Sequence, residues 1–144
     1  MALNGKWSLF DVQNAAAYFD AIKSPEEYKE KLRKVGEASK VDRNAYVEEL
    51  NVDKAAGTLH RSVYINGEKV KESGEVKLGI EIDGKSADGR PAKVKLVLES
   101  DSKLVRHEAG SGFSTVTTFE VSGDTLTVSN SGNGASCVSK YKRV

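Results

Sequence analysis

A single cysteine, Cys137, excludes any disulfide within the chain, and a lone thiol fits a reducing compartment. No charge sign dominates: 22 basic residues face 21 acidic ones, for a net +1. That balance gives nucleic acid nothing to bind to, so none is expected as a partner. No apolar run approaches the ~18 residues of a membrane span. The opening Met1-Ala2-Leu3-Asn4-Gly5-Lys6-Trp7 lacks the basic and apolar stretches of a signal peptide, which points to the cytoplasm.

Catalytic and metal motifs are equally scarce. The potential ligands His60, His107 and Cys137 are widely spaced, with no paired-cysteine or two-histidine motif, so neither metal nor cofactor is expected. A nucleophile elbow of the Gly-x-Ser-x-Gly kind is missing. Gly110-Ser111-Gly112 reads as a turn between strands. Gly132-Asn133-Gly134 has no helix after it and is no phosphate cradle. Cys137 is expected to be a small core residue rather than a nucleophile.

What remains is a soluble globular composition, 38% hydrophobic and 30% charged. A length of 144 residues predicts one domain over 1–144, large enough for a real core. Residues 5–13 alternate loosely as a strand, with Trp7, Leu9 and Asp11 on one side. Ala15, Tyr18, Phe19 and Ile22 then share one face of a short helix. Ser24-Pro25-Glu26-Glu27 has the form of a capping box opening a second helix. Tyr28, Leu32 and Val35 form its apolar stripe, with Lys31, Arg33 and Lys34 expected near its end and Gly36 as its stop.

Beyond residue 40 come short strands and turn signals, among them Asn66-Gly67, Asp83-Gly84, Asp88-Gly89 and Gly123-Asp124. This spacing predicts an antiparallel up-and-down sheet, which normally closes to hide its edges. The pattern alone thus points to an all-β barrel with a small helical lid.

Several segments, in order, resemble the intracellular lipid-binding proteins, the fatty-acid-binding and cellular retinoid-binding family. They are Gly5-Lys6-Trp7 at the start, Asn14 to Ile22 with Tyr18 and Phe19, Lys77-Leu78-Gly79, Ala87-Asp88-Gly89-Arg90, and Lys103 to Tyr141 without a gap. The resemblance implies a ten-stranded antiparallel β-barrel of the β-clam, calycin type, with a helix-turn-helix lid at about residues 14–36. It also implies non-covalent binding and intracellular transport of a hydrophobic small molecule, a long-chain fatty acid, a retinoid or similar, by a monomer. Residues 37–72 match poorly, and no roles are assigned there.

Fatty-acid binders of the family usually hold the ligand carboxylate with two arginines and a tyrosine. Tyr141 matches the tyrosine, whereas Ser139 and Phe119 stand where the arginines would be. A buried, unpaired carboxylate costs several kcal/mol, so the usual clamp is in doubt. Laid on the family pattern, Leu104, Arg106 and Glu108 point inward, with Val105 and His107 outward. An inward Arg106 would attract a ligand acid by ~4 kcal/mol near 4 Å at an effective dielectric of about 20. It would equally pair with Glu108. A one-residue slip of the strand would put it in solvent instead.

The candidate ligand contacts are Tyr18, Phe19, Tyr28 and Leu32 on the lid, and Arg90 at the entrance. Inside are Arg106, Glu108, Thr117, Phe119, Val128, Asn130, Ser139 and Tyr141. This lining suits a neutral head such as an alcohol, an aldehyde or a conjugated pigment. It also allows an acid on Arg106, which the resemblance favours. Lys29, Lys31, Arg33 and Lys34 offer a transient membrane contact through the lid. Two alternatives stand beside the carrier: a secreted lipocalin-like carrier, and an enzyme using Glu108 and Tyr141 on a bound ligand.

Overall fold

A computed structural model describes all of residues 1–144. Ten strands form one antiparallel sheet. In chain order they are β1 (Gly5–Gln13), β2 (Tyr46–Asp53), β3 (Thr58–Ile65), β4 (Glu68–Lys77), β5 (Ile82–Lys85), β6 (Pro91–Ser100), β7 (Lys103–Gly110), β8 (Phe113–Ser122), β9 (Thr125–Gly132) and β10 (Ala135–Arg143). Two helices, α1 (Ala15–Ala21) and α2 (Glu26–Ala38), follow β1. The all-β clam with a helical lid is thus the architecture.

Sheet order is β4-β3-β2-β1-β10-β9-β8-β7-β6-β5. Chain neighbours pair throughout, and β1 joins the last strand, β10. The expected barrel differs in one respect: β4 and β5 are the two ends of the sheet and do not pair. Hairpins at Asn66-Gly67 and Asn133-Gly134 hold both residues at positive φ, the conformation of the tight type I′ turn.

Strand β1 corrects its own alternation. A bulge between Leu9 and Asp11 inserts Phe10 as an extra residue. The inward face therefore runs Trp7, Leu9 and then Val12, not Asp11, because a bulge shifts every later side chain to the other face. Trp7 is fully buried, and its indole N–H donates to the Leu3 carbonyl at 3.0 Å. It belongs to the main apolar core with Leu50, Leu104, Phe119, Leu126 and Tyr141.

The second helix departs from its sequence signals. Ser24 does not cap it. Its hydroxyl donates to Asp88 Oδ2 at 2.7 Å instead, and Pro25 occupies the N-cap position with no side-chain cap. Gly36 is not the stop either, because the helix continues to Ala38. Burial of Val35 against the main core anchors that last stretch. The Ser39 hydroxyl then donates to the Val35 carbonyl at 2.7 Å. The extra residues leave no basic side chain in the final turn, so Lys31, Arg33 and Lys34 lie mid-helix.

The first helix is the better fastened of the two. Tyr18 and Ile22 pack with Ala92, Val94, Phe113 and Cys137 in a second apolar cluster. Asn14 Nδ2 donates to the Ser136 carbonyl at 2.7 Å, and Asn133 Nδ2 to the Ala21 carbonyl at 3.1 Å. Gly132 allows this approach. A Cβ there would lie 2.7 Å from the Ser114 carbonyl oxygen and 3.3 Å from the Ile22 side chain.

Candidate functional site

The curled sheet encloses a hollow interior with two lobes. One, of about 130 Å³, lies under α1 and α2 against the inner faces of β7 to β10. The other, of about 650 Å³, extends to the opening between β4 and β5. The lobes meet at Tyr28, Tyr46, Arg61, Arg106 and Phe119. Together they reach the size of pockets that take small-molecule ligands, and the walls of each are mostly hydrophobic residues.

Strand alternation sets what the walls present. From β7 come Arg106 and Glu108, both lining the inner lobe, so the register is the inward one. Arg106 Nε lies 2.9 Å from Glu108 Oε1, the side chains being 15% and 5% exposed. Its neighbour Val105 faces the other way and is nevertheless buried. Arg106 Nη2 also donates to the Lys85 carbonyl at 3.2 Å. Burial holds the Arg106 guanidinium below its ordinary range, and Glu108 offsets this only in part.

A second buried pair comes from residues to which the sequence assigned no role. Glu48 on β2 and Arg61 on β3 form an ion pair, their side chains 2% and 17% exposed. Burial opposes the Arg61 charge, but the Glu48 carboxylate and Tyr46 override it and hold the guanidinium above its usual range. The Tyr46 hydroxyl donates to Glu48 Oε1 at 3.3 Å. The pair carried a sequence signal. On β2 the inward series is Tyr46, Glu48, Leu50 and Val52, and on β3 it is Leu59, Arg61, Val63 and Ile65. One charge interrupts each apolar face.

Phe119 shows how the charge has moved. It occupies the position where the resemblance places an arginine, and it is buried in the core. The Arg61 guanidinium lies 5.9 Å from its ring centroid, within cation–π range. A positive group therefore returns to that spot from the opposite wall.

Tyr141 is buried, with its ring 6.4 Å from that of Tyr46. Burial, then Glu48 and Tyr46, push its phenol well above the ordinary value, against the pull of Arg61. Tyr46 and Tyr28 are raised chiefly by burial too, and Tyr18 is pushed up to about 12 for the same reason. All four are neutral hydrogen-bonding groups at ordinary pH. Thr117 Oγ1 donates to Asn130 Oδ1 at 2.7 Å, and Asn130 Nδ2 reaches Cys137 Sγ at 3.5 Å.

Twelve of the thirteen candidate residues line the inner lobe: Tyr18, Phe19, Tyr28, Leu32, Arg106, Glu108, Thr117, Phe119, Val128, Asn130, Ser139 and Tyr141. Arg90 is the correction. It is not part of either wall. Its guanidinium bonds Asp88 Oδ2 at 2.6 Å and stacks 4.0 Å from the Phe113 ring centroid, which turns it away from the mouth. The mouth has Lys71 instead, on the outer lobe. Burial, with Arg61 and Arg106 nearby, lowers its ammonium.

No family model and no curated protein sequence matches the chain. Solved structures do match over nearly its whole length. A Schistosoma mansoni fatty acid binding protein in complex with arachidonic acid has a TM-score of 0.81 at 21% identity, covering 99% of this chain and 96% of that one. A fatty acid-binding protein from Drosophila melanogaster brain tissue has 0.77 at 18%, covering 99% of each chain. Fatty-acid-binding protein 1 of Echinococcus granulosus has 0.77 at 14%, covering 99% and 98%. The chain therefore has the β-clam fold of the fatty-acid-binding proteins.

Proposed function

We propose that this protein binds a long-chain amphiphile non-covalently and carries it, the class to which fatty acids and retinoids belong. The observation that carries the reading is the enclosed apolar cavity with two buried ion pairs and four neutral tyrosines on its wall. Apolar tail burial drives such binding at about 0.8 kcal/mol per methylene before ordering losses. The charged and phenolic groups orient the head. Fatty-acid binding by proteins of the same fold supports the reading.

The carrier is read as a single-domain, cytoplasmic monomer. Its one thiol is free and buried, which fits a reducing compartment. No helix is long and apolar enough to cross a membrane. A transient touch on an anionic membrane would fall to Lys31 and Lys34, since Lys29 pairs with Asp20 and Glu26, and Arg33 with Glu30 and Glu37.

Native mass spectrometry of gently purified protein tests the proposal. The expected result is a one-to-one complex that releases a long-chain lipid on activation. Protein that carries none, and takes up none when incubated with a lipid extract, would refute it.

A further inference from the structure

The buried charges of the cavity cancel. Arg61 is matched by Glu48 and Arg106 by Glu108, and Asp88, the remaining carboxylate on the inner-lobe wall, is matched by Arg90 outside it. The extra cations, Lys31, Lys71 and Lys85, line the outer lobe rather than the inner one, and the Lys71 ammonium is 3.5 Å from the Ala87 carbonyl. A ligand carboxylate would therefore enter a neutral site and leave it with one net buried negative charge, an arrangement that low-dielectric surroundings penalise.

The unused hydrogen-bonding capacity is of both kinds. Arg61 Nε is a buried donor without an acceptor, and Glu48 Oε2 is a buried acceptor without a donor. A carboxylate satisfies the donor only and sets its charge against Glu48.

Resting on the carrier reading, we propose that the head accepted here is uncharged and carries both a donor and an acceptor, as a fatty amide or alcohol does. Its oxygen accepts from Arg61, and its N–H or O–H donates to Glu48 Oε2. The two glutamates thereby select against the free fatty-acid anion.

Delipidated protein is loaded with Nile red at pH 8, and the dye is displaced by oleamide or by oleate, which share one chain and differ in the head. Oleamide is expected to displace the dye at about tenfold lower concentration, the scale of leaving one charge imperfectly paired in a buried site. Oleate binding as tightly or more tightly overturns the proposal and leaves the carrier reading standing. Failure of the dye and both lipids to bind overturns both.

Glu48→Gln supplies the second readout, because it frees Arg61 to take an anion. The oleate-to-oleamide affinity ratio should then rise about tenfold, and an unchanged ratio in a folded variant counts against the proposal. If circular dichroism shows that Glu48→Gln does not fold, Glu108→Gln is read by the same ratio, with Arg106 freed in place of Arg61.

Discussion

Glu48 and Arg61 carry the largest electrostatic stakes of any two side chains here, because both charges are taken out of water and each has the other as its main compensation. Removing one strands the other. Arg61→Met alone is expected to cost about 3–5 kcal/mol, whereas the double change Glu48→Leu with Arg61→Met should come back close to zero. Urea unfolding of the two singles and the double settles it, and singles within about 1 kcal/mol of the wild type would show that water relieves the pair. The same pair marks the limit of what the residues disclosed in advance. Arg106 and Glu108 lie on one strand two apart, so alternation placed them on one face, and the family resemblance turned that face inward. Glu48 and Arg61 lie on different strands. Only the β2–β3 register, with Leu50 opposite Arg61 and Val63 opposite Glu48, makes them diagonal neighbours on one face. Phe119 hid the relocation further, since an aromatic at an arginine position looks like a lost charge until a guanidinium is found above its ring.

Among the elements, the two helices were legible from their apolar faces, and their ends were not. The reason is competition for Ser24. Its hydroxyl has an N-cap position available one turn before Glu27, but the Asp88 carboxylate is nearer to hand once the β5–β6 turn folds beneath the lid. Asp88 accepts from Ser24, Ser86 and Arg90 together, so it latches the start of α2 to the sheet. Elsewhere α2 has few fastenings beyond Val35, and it is the part of the lid best able to lift while α1 stays bound to β9 and β10. Asp88→Asn is expected to raise hydrogen exchange in α2 and to speed both uptake and release of ligand, leaving α1 protection unchanged; equal loosening of both helices would show that the lid moves as one piece. The latch also has a pH signature. Burial would raise the Asp88 carboxyl, but Arg90, Ser86 and Ser24 outweigh it and hold the group well below the carboxylate range. A depressed native pKa stabilises above the unfolded value, near 3.9, and that stability drains away as pH falls below it toward the native one. The gap in thermal midpoint between the wild type and Asp88→Asn should therefore be constant from pH 5 upward and narrow below about pH 4.

At the scale of the whole molecule, the sheet is held shut at one seam and left open at another. Turn spacing and composition predicted the strands and the lid, since each hairpin carries its own local signal. The open seam at β4 and β5 carries none, because whether two edge strands meet is decided by the curl of the entire sheet. The closed seam, β1 against β10, joins the two ends of the chain, a contact of the longest possible sequence separation and so among the last to be compensated during folding. Arg143 fastens it. Its guanidinium stacks 4.1 Å from the Trp7 ring centroid and donates to the carbonyls of Asn4 and Ala2, each at 2.9 Å. Those carbonyls belong to the segment whose Leu3 is fully buried and receives the Trp7 indole N–H on its own carbonyl oxygen. Arg143→Ala removes the stacking and both hydrogen bonds without touching the cavity. It is expected to lower stability by about 1–3 kcal/mol, a guanidinium–carbonyl bond and a cation–π contact each contributing on the order of 1 kcal/mol. Trp7, the only tryptophan in the chain, reports the change directly through its emission. Because the seam forms late, the loss should fall mainly on the unfolding rate, with refolding little altered. A variant that refolds several times more slowly, with its unfolding rate unchanged, would mean that the two termini meet early and that closure nucleates the clam.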